Sequence, residues 1–372
     1  MRFVTLVGKN LLRRRTRSLL TVAGVAIGIG AVVALTSIAW GFERSWARAY
    51  DARGTDLAVL KIASQSPLPA VFDEGMRAEL AALPGVASAT GLLNDFMGIE
   101  DSPGMIVFGW ELESYLWDHL RLVEGRWPRP GERAVVLGSV AADLLGKSAG
   151  SSVQLDVREY AVSGIYESPA LVENGALVLA LPEMQSLGGN AGKLNFVNLK
   201  LDPSQGEAGR ERLKREIKER FPGFRAFNSS EVAQSNTGVQ LARAMSWATS
   251  LLALVVGAVG VMNTVFMSVF ERFREIGVLL AIGWRPGRIM RMILLESVVL
   301  SLAGGVAGVV LGFLAVQLVE VTPMMRGRIE GEISLRLALV GLAVALALGL
   351  IGGLYPAWRG SRLPPSAALR YE

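Results

Sequence analysis

The sequence predicts a membrane α-helical protein with four transmembrane helices and an α+β extracytoplasmic domain of two subdomains. Three observations carry that prediction. Four runs without a charged residue are each long enough to cross a bilayer. Basic residues cluster at the ends of those runs on one side only. A single long polar stretch, residues 43–243, separates the first run from the second.

The bulk composition agrees. Of 372 residues, 51% are hydrophobic and 19% charged, whereas charged residues make up about a quarter of a soluble chain. The absence of cysteine excludes disulfides, thiolate chemistry and cysteine-based metal sites. The net charge of +5 sits beside the apolar runs, so it marks a membrane boundary and no nucleic-acid partner is expected.

The first run, 18–42, exceeds the roughly 20 residues that span the hydrocarbon, and no small-residue cleavage site follows it. It reads as a retained span. The other runs are 244–270, 297–319 and 337–358, and Pro356 is expected to end the last. Segment 1–17 carries Arg2, Lys9, Arg13, Arg14, Arg15 and Arg17 with no acid. Segment 271–296 carries Arg272, Arg274, Arg285, Arg288 and Arg291, and tail 359–372 carries Arg359, Arg362 and Arg370. Stretch 43–243 has more acids than bases, and loop 320–336 is balanced. Positive-inside therefore places both termini in the cytoplasm of a bacterial inner membrane and 43–243 in the periplasm.

Small residues recur at spacing four within the spans. Gly24 and Gly28 share one face, as do Gly304, Gly308 and Gly312, and so do Gly349 and Gly353. Such faces let helix backbones approach closely, either within one subunit or between two. Glu296 directly precedes the third run, at its cytoplasmic end. It is expected to snorkel, or to pair with Arg291 or a neighbouring basic residue, which argues against a chain of titratable groups for ion passage.

Stretch 43–243 alternates strand and helix signals. Residues 56–62, 105–108, 134–137, 153–157, 160–166, 176–180 and 196–201 read as strands. Residues 73–83 read as a helix with Asp73 as N-cap, stopped at Pro84-Gly85, and 204–220 as a helix capped by Ser204. Subdomain boundaries are expected near Gly125 and Pro203. The segment from Gly138 to Gly146-Lys147-Ser148 imitates a phosphate loop but has seven intervening residues instead of four, so it reads as a helix with Gly146 at its C-cap. His119, the one histidine, cannot form a usual zinc site alone and reads as structural or exposed. The acidic pairs Asp73-Glu74 and Glu100-Asp101 fit no calcium-loop spacing, so no metal site is expected.

The most informative stretch joins the second and third runs: Glu271-Arg-Phe-Arg-Glu275-Ile-Gly277, a short apolar segment, Gly283, and a basic entry into the next run. A short amphipathic helix held at the membrane suits docking onto a soluble partner. This stretch resembles the Glu-Arg-x-Arg-Glu-Ile-Gly signature of the MacB/FtsX-type ABC transporter permeases. Asn10-Leu-Leu-Arg-Arg-Arg and the run up to Gly28 resemble that family's entry into its first span. Tyr355-Pro-Ala357 and Pro365 to Glu372 resemble its C-terminal tail. Leu280, where a basic residue is frequent, and Trp284-Arg-Pro, in place of a small-residue turn, depart from the pattern.

The resemblance implies a non-catalytic, mechanotransmitting permease subunit, paired with a second copy or paralogue over a cytoplasmic ABC ATPase. Glu271, Arg272, Arg274, Glu275, Ile276 and Gly277 are the implied contacts with that ATPase. ATP and magnesium would bind the partner and no cofactor would bind this chain, where neither terminal segment could house an ATPase. Efflux with a periplasmic adaptor is the leading expectation. Extraction of lipoproteins or lipids, and control of a cell-wall hydrolase, are the alternatives. Membrane lipids complete the expected partners.

Overall fold

The structure, a computed structural model, describes residues 15–62, 70–100, 102–235, 237–322 and 331–362. The N-terminal basic residues as far as Arg14, residues 323–330 of loop 320–336 and the tail from residue 363 lie outside them.

Along the chain the elements run α1 (Arg15–Ala52), β1 (Leu57–Lys61), β2 (Phe72–Asp73), α2 (Gly75–Ala81), β3 (Val86–Ile99), β4 (Ser102–Trp110), β5 (Arg121–Gly125) and β6 (Ala134–Gly138). Next come α3 (Ser139–Leu145), β7 (Ser152–Leu155), β8 (Arg158–Glu167), α4 (Leu171–Asn174), β9 (Leu177–Ala180), α5 (Leu181–Leu187), β10 (Lys193–Leu194) and β11 (Phe196–Leu201). The last group is α6 (Gly206–Arg220), β12 (Phe224–Phe227), α7 (Ser229–Ser235), α8 (Thr237–Glu271), α9 (Phe273–Ala281), α10 (Pro286–Val321) and α11 (Leu335–Ser361). They form two compact units. One comprises the described residues of Met1–Ala39, Ala242–Val319 and Gly331–Glu372; the other comprises those of Trp40–Leu241 and Glu320–Glu330.

Helices α1, α8, α10 and α11 are each long and apolar enough to cross a membrane. They outrun the uncharged segments, because a charged residue does not stop a helix. Helix α1 continues past Phe42 to Ala52, and the chain then turns at Gly54, whose φ of +65° suits glycine. Pro286 opens α10, where its missing N–H is no loss. Ser334 caps α11 by accepting the Leu337 N–H at 3.3 Å. Pro356 does not end the last span as expected. It is buried inside α11, which continues to Ser361. Neighbouring helices hold this turn on both sides, since a Cβ on Gly353 would touch Ser297 of α10 and one on Gly360 would touch Val269 of α8.

The helical unit packs through its glycines. A Cβ on Gly304 would lie 2.7 Å from the Cβ of Val25, one on Gly308 2.7 Å from that of Ile29, and one on Gly312 2.8 Å from that of Val33. One face of α10 therefore takes three branched side chains of α1, spaced by four. The first-span glycines are not the matching half of this contact. Gly24 meets nothing within 4 Å, and a Cβ on Gly28 would make ordinary contact with Ala253 at 3.8 Å. The α1 glycine that approaches α10 is Gly30, where a Cβ would lie 3.2 Å from the Gly308 carbonyl. On α11, a Cβ on Gly349 would lie 2.8 Å from Val298 of α10, and one on Gly352 2.8 Å from the Ala258 carbonyl of α8.

The α/β unit is built on one mixed ten-stranded sheet ordered β12-β1-β11-β3-β4-β9-β6-β8-β5, with β7 paired to β3 and β8. Alternate residues serve two cores. Leu57, Val59, Val107, Val135, Leu137, Leu177 and Leu179 face one core, together with Leu80 of α2, Ala141 of α3, Met184 of α5 and Ile217 of α6. Ala58, Leu60, Phe108, Val136 and Val178 face the other, together with Trp46 and Tyr50 of α1 and Val232 of α7. Burial on both faces explains why the strands read as short continuous apolar runs. The sheet has two halves joined by the parallel β4–β9 pair. Their exchange does not fall at Gly125 or Pro203: β5, ending at Gly125, pairs with β8, and β11, just before Pro203, pairs with β1 and β3. Gly146 closes α3 in the left-handed conformation as expected. Helix α6 starts at Gly206 rather than Ser204, after a 3-10 turn in which Asp202 accepts the Ser204 N–H at 2.9 Å.

The glycine contacts separate two otherwise equal substitutions. Gly308→Ala places a methyl group against Ile29 and the Ala26 carbonyl, and it is expected to destabilise the detergent-solubilised chain by about 1–3 kcal/mol. Gly24→Ala meets open space and gains up to ~1 kcal/mol of helix propensity, so its melting temperature should hold or rise. Thermal unfolding of both variants checks this; equal effects would refute the packing scheme.

Candidate functional site

The segment singled out by the sequence forms a sharp turn between two long helices. Helix α8 ends at Glu271, and Arg272 leaves helical geometry with φ −109° and ψ 18°. The short helix α9 follows, and Gly283, with φ +94°, redirects the chain into Pro286 and α10. Gly283 thus serves as the expected stop.

Arg272 turns inward. Its Nη1 donates to Glu296 Oε2 of α10 at 3.0 Å, and its Nε donates to Glu275 Oε2 of α9 at 3.2 Å. Ser268 Oγ of α8 donates to the other Glu296 oxygen at 3.3 Å. One guanidinium therefore ties together the end of α8, the start of α9 and the first turns of α10. Glu296 pairs with a basic residue close in space, not with Arg291. Both side chains of the pair are largely shielded from water, which strengthens the attraction and makes loss of either partner costly.

The six residues expected to contact an ATPase fall into two groups. Arg272 is occupied internally, and Ile276 and Gly277 are buried. Glu271, Arg274 and Glu275 are exposed. Two apolar residues missed at the sequence level extend the exposed face: Val278 is 42% exposed and Ile282 68%. Their signal was the spacing of four from Arg274 through Val278 to Ile282, one face of a helix. The departure Trp284-Arg-Pro has a structural use, since the Arg288 guanidinium lies 5.2 Å from the centre of the Trp284 ring.

A second charged centre lies in the α/β unit. Arg53, the first residue past α1, is buried and donates from Nε to Glu173 Oε1 at 2.7 Å. The rings of Tyr50, Phe108 and Trp110 surround its guanidinium, with centroids 5.1, 5.1 and 5.0 Å away. His119 Nε2 lies 2.7 Å from Glu173 Oε2, and the Ser168 hydroxyl donates to that same oxygen. His119 is thus structural, one of the two readings its sequence allowed. In a nucleophilic triad the histidine stands between serine and acid. Here the acid stands in the middle, so His119 is not placed to take the Ser168 proton. Burial pushes the Glu173 carboxyl up, but Arg53, His119 and Ser168 outweigh it and hold it below the usual range. Burial pushes the Tyr166 hydroxyl well up, and that hydroxyl donates to the Glu173 carbonyl at 2.7 Å.

Among the described residues no cluster of three or more His, Cys, Asp or Glu side chains could hold a metal ion.

Known proteins match both parts of the chain. Residues 18–216 match the family model of the MacB-like periplasmic core domain, and residues 247–365 that of the FtsX-like permease C-terminal region. The chain is 26% identical, over 99% of its length, to an uncharacterized ABC transporter permease of Methanocaldococcus jannaschii, MJ1507, and covers 98% of that protein. It is 25% identical, over 98% of its length, to the uncharacterized ABC transporter permease YknZ of Bacillus subtilis, covering 97% of it. Against the macrolide export ATP-binding/permease protein MacB of Bdellovibrio bacteriovorus it is 25% identical over 98% of its length and covers 61% of that protein. Among solved structures, the periplasmic region of MacB from Actinobacillus actinomycetemcomitans aligns with 50% of the chain and 95% of its own, at 14% identity and a TM-score of 0.39.

Two predictions follow from the charged centres. Arg272→Ala strands Glu296 without its cation and is expected to destabilise the chain by about 3 kcal/mol or more. Arg274→Ala, at an exposed position, should stay within about 0.5 kcal/mol of the parent; thermal unfolding in detergent distinguishes the two. The second concerns acid. Because the folded-state pKa of Glu173 lies below its ordinary value of 4.5, its contribution is complete above that value and is lost as pH falls through the folded pKa. The stability advantage of the parent over Glu173→Gln should therefore shrink on acidification below pH 4.5. Parallel denaturation series of both proteins measure it, and a constant difference would refute the assignment.

Proposed function

The chain belongs to the family of MacB- and FtsX-like ABC transporter permeases, and from that premise we propose that it is the non-catalytic, mechanotransmitting subunit of an inner-membrane export complex. The ATPase is a separate cytoplasmic chain that holds the ATP and magnesium. Support comes from the two relatives named as permeases alone, whose lengths this chain covers at 98% and 97%. Both termini lie in the cytoplasm in this reading, and residues 43–243 lie in the periplasm, as the basic residues at the span ends argue. Two permease subunits act together. Outward transport follows the named activity of the MacB relatives; the substrate need not pass between the spans.

The observation that carries this reading is the two-sided helix α9. Its inner side is fastened through Arg272, Ile276 and Gly277. Its outer side presents Arg274, Glu275 and Val278, with Ile282 at its C-terminal end and Glu271 exposed at the end of α8. A short helix with apolar residues between charges is suited to a groove on a soluble partner. Because the Arg272–Glu296 pair leaves α9 little freedom at its start, a push on its outer face is passed to α8 and α10.

Ile282→Glu is expected to weaken association with the ATPase subunit at least about tenfold, the effect of losing one apolar anchor, with an unchanged melting temperature. Glu275→Lys is expected to abolish stimulation of ATP hydrolysis in the reconstituted complex while folded protein is retained. Pull-down titration and ATPase assays read these effects. Full binding and full stimulation by both variants would overturn the proposal.

A further inference from the structure

At the end of the helical unit where α8 stops and α11 ends, four aromatic rings form a continuous ladder, with Phe266 half-buried and the other three exposed. Phe270 stacks on Phe266 with centroids 6.1 Å apart, Phe266 meets Tyr355 edge-on at 5.3 Å, and Tyr355 stacks on Trp358 at 6.2 Å. The Arg362 guanidinium then lies 4.9 Å from the centre of the Trp358 ring. One helical turn before it, Arg359 Nη1 donates to the Tyr355 hydroxyl at 3.5 Å. The ladder is not core. Phe270 is 57% exposed, Tyr355 48% and Trp358 46%. Among the described residues neither arginine meets a carboxylate.

The ladder stands at a defined depth. About 20 residues of helix cross the hydrocarbon, so the uncharged run that starts at Leu337 leaves it near Pro356. Tyr355, Trp358, Arg359 and Arg362 then fall at the headgroup level, where amphipathic rings settle and arginines extend toward phosphate. The ends of α8 and α11 are level here, since a Cβ on Gly360 would touch Val269 at 3.0 Å. Below the arginines, Ile351 and Leu354 continue the exposed face with apolar surface.

We propose that this face is a binding site for an anionic glycerophospholipid, with the phosphate between Arg359 and Arg362, the glycerol region on the Tyr355–Trp358 stack and an acyl chain along Ile351 and Leu354. Two guanidiniums that meet no carboxylate among the described residues, one held by cation–π contact with Trp358 and the other by the Tyr355 hydroxyl, select a negative headgroup over a zwitterionic one. The apolar face below selects a lipid over a free anion.

The test uses the purified full chain in phosphatidylcholine vesicles that carry a minor fraction of brominated lipid, with tryptophan fluorescence as the readout. Brominated phosphatidylglycerol should quench preferentially over brominated phosphatidylcholine, with a local enrichment of about fivefold per arginine. Trp358→Phe should remove that excess quenching. The double variant Arg359→Gln with Arg362→Gln should bring the two lipids to parity, and the matching lysine variant should keep the preference. Excess inorganic phosphate should not compete. Equal quenching by the two lipids in the parent, or a preference untouched by the glutamine pair, overturns the proposal. Displacement by inorganic phosphate would mean that a free anion binds there instead. A Trp358 that neither lipid quenches would mean that protein, such as a second copy, covers the face; either result also overturns it.

Discussion

A charge removed from water must be met by an opposite charge, and both units of this protein are organised around that constraint. In each, an arginine directly follows the last residue of a long helix: Arg53 after Ala52, and Arg272 after Glu271. Each turns to a buried glutamate, Glu173 or Glu296. The position is favourable before any partner is counted, because the C-terminal end of a helix attracts a cation. Low local dielectric then makes the pair both strong and specific. An alternative placement of the helix end would leave two charges uncompensated.

The remaining contacts work by shape. In the helical unit, lipid removes the hydrophobic drive for helices to associate, so close approach must supply the attraction. Gly304, Gly308 and Gly312 supply it by leaving room for Val25, Ile29 and Val33. In the α/β unit, water is the surrounding solvent and the hydrophobic effect operates in full. There a single sheet buries both faces, and every second side chain goes to a different core.

The same division of labour appears at the turn that carries the family signature. Three of its residues hold the short helix in place, and three are exposed, Arg274 and Glu275 on that helix and Glu271 at the end of α8. A signature motif read as one contact surface is in fact half scaffold. That bears on the proposed coupling role, because a helix that transmits force needs a rigid root as much as a docking face. Arg272 provides the root through three helices at once.

Much of this was legible in the sequence. Uncharged runs revealed four spans because a bilayer imposes length and polarity on each segment separately, without reference to its neighbours. Short apolar runs revealed β1, β6 and β9 for the same local reason. The long strand β3 escaped, since Gly91, Asn94, Asp95 and Gly98 interrupt its apolar pattern, yet neighbouring strands on both sides hold the backbone extended. Pro356 misled in the opposite sense, its cost being absorbed by helices that only the fold brings near. The sequence by itself determined the spans and the glycine face of α10. Only the tertiary structure decided that Arg272 meets Glu296, that Arg53 and His119 share Glu173, and that Gly30 rather than Gly24 or Gly28 faces α10. Local pattern records which solvent a residue prefers, whereas the partner of a buried charge or the occupant of a glycine's gap comes from a distant segment, and folding alone brings the two together.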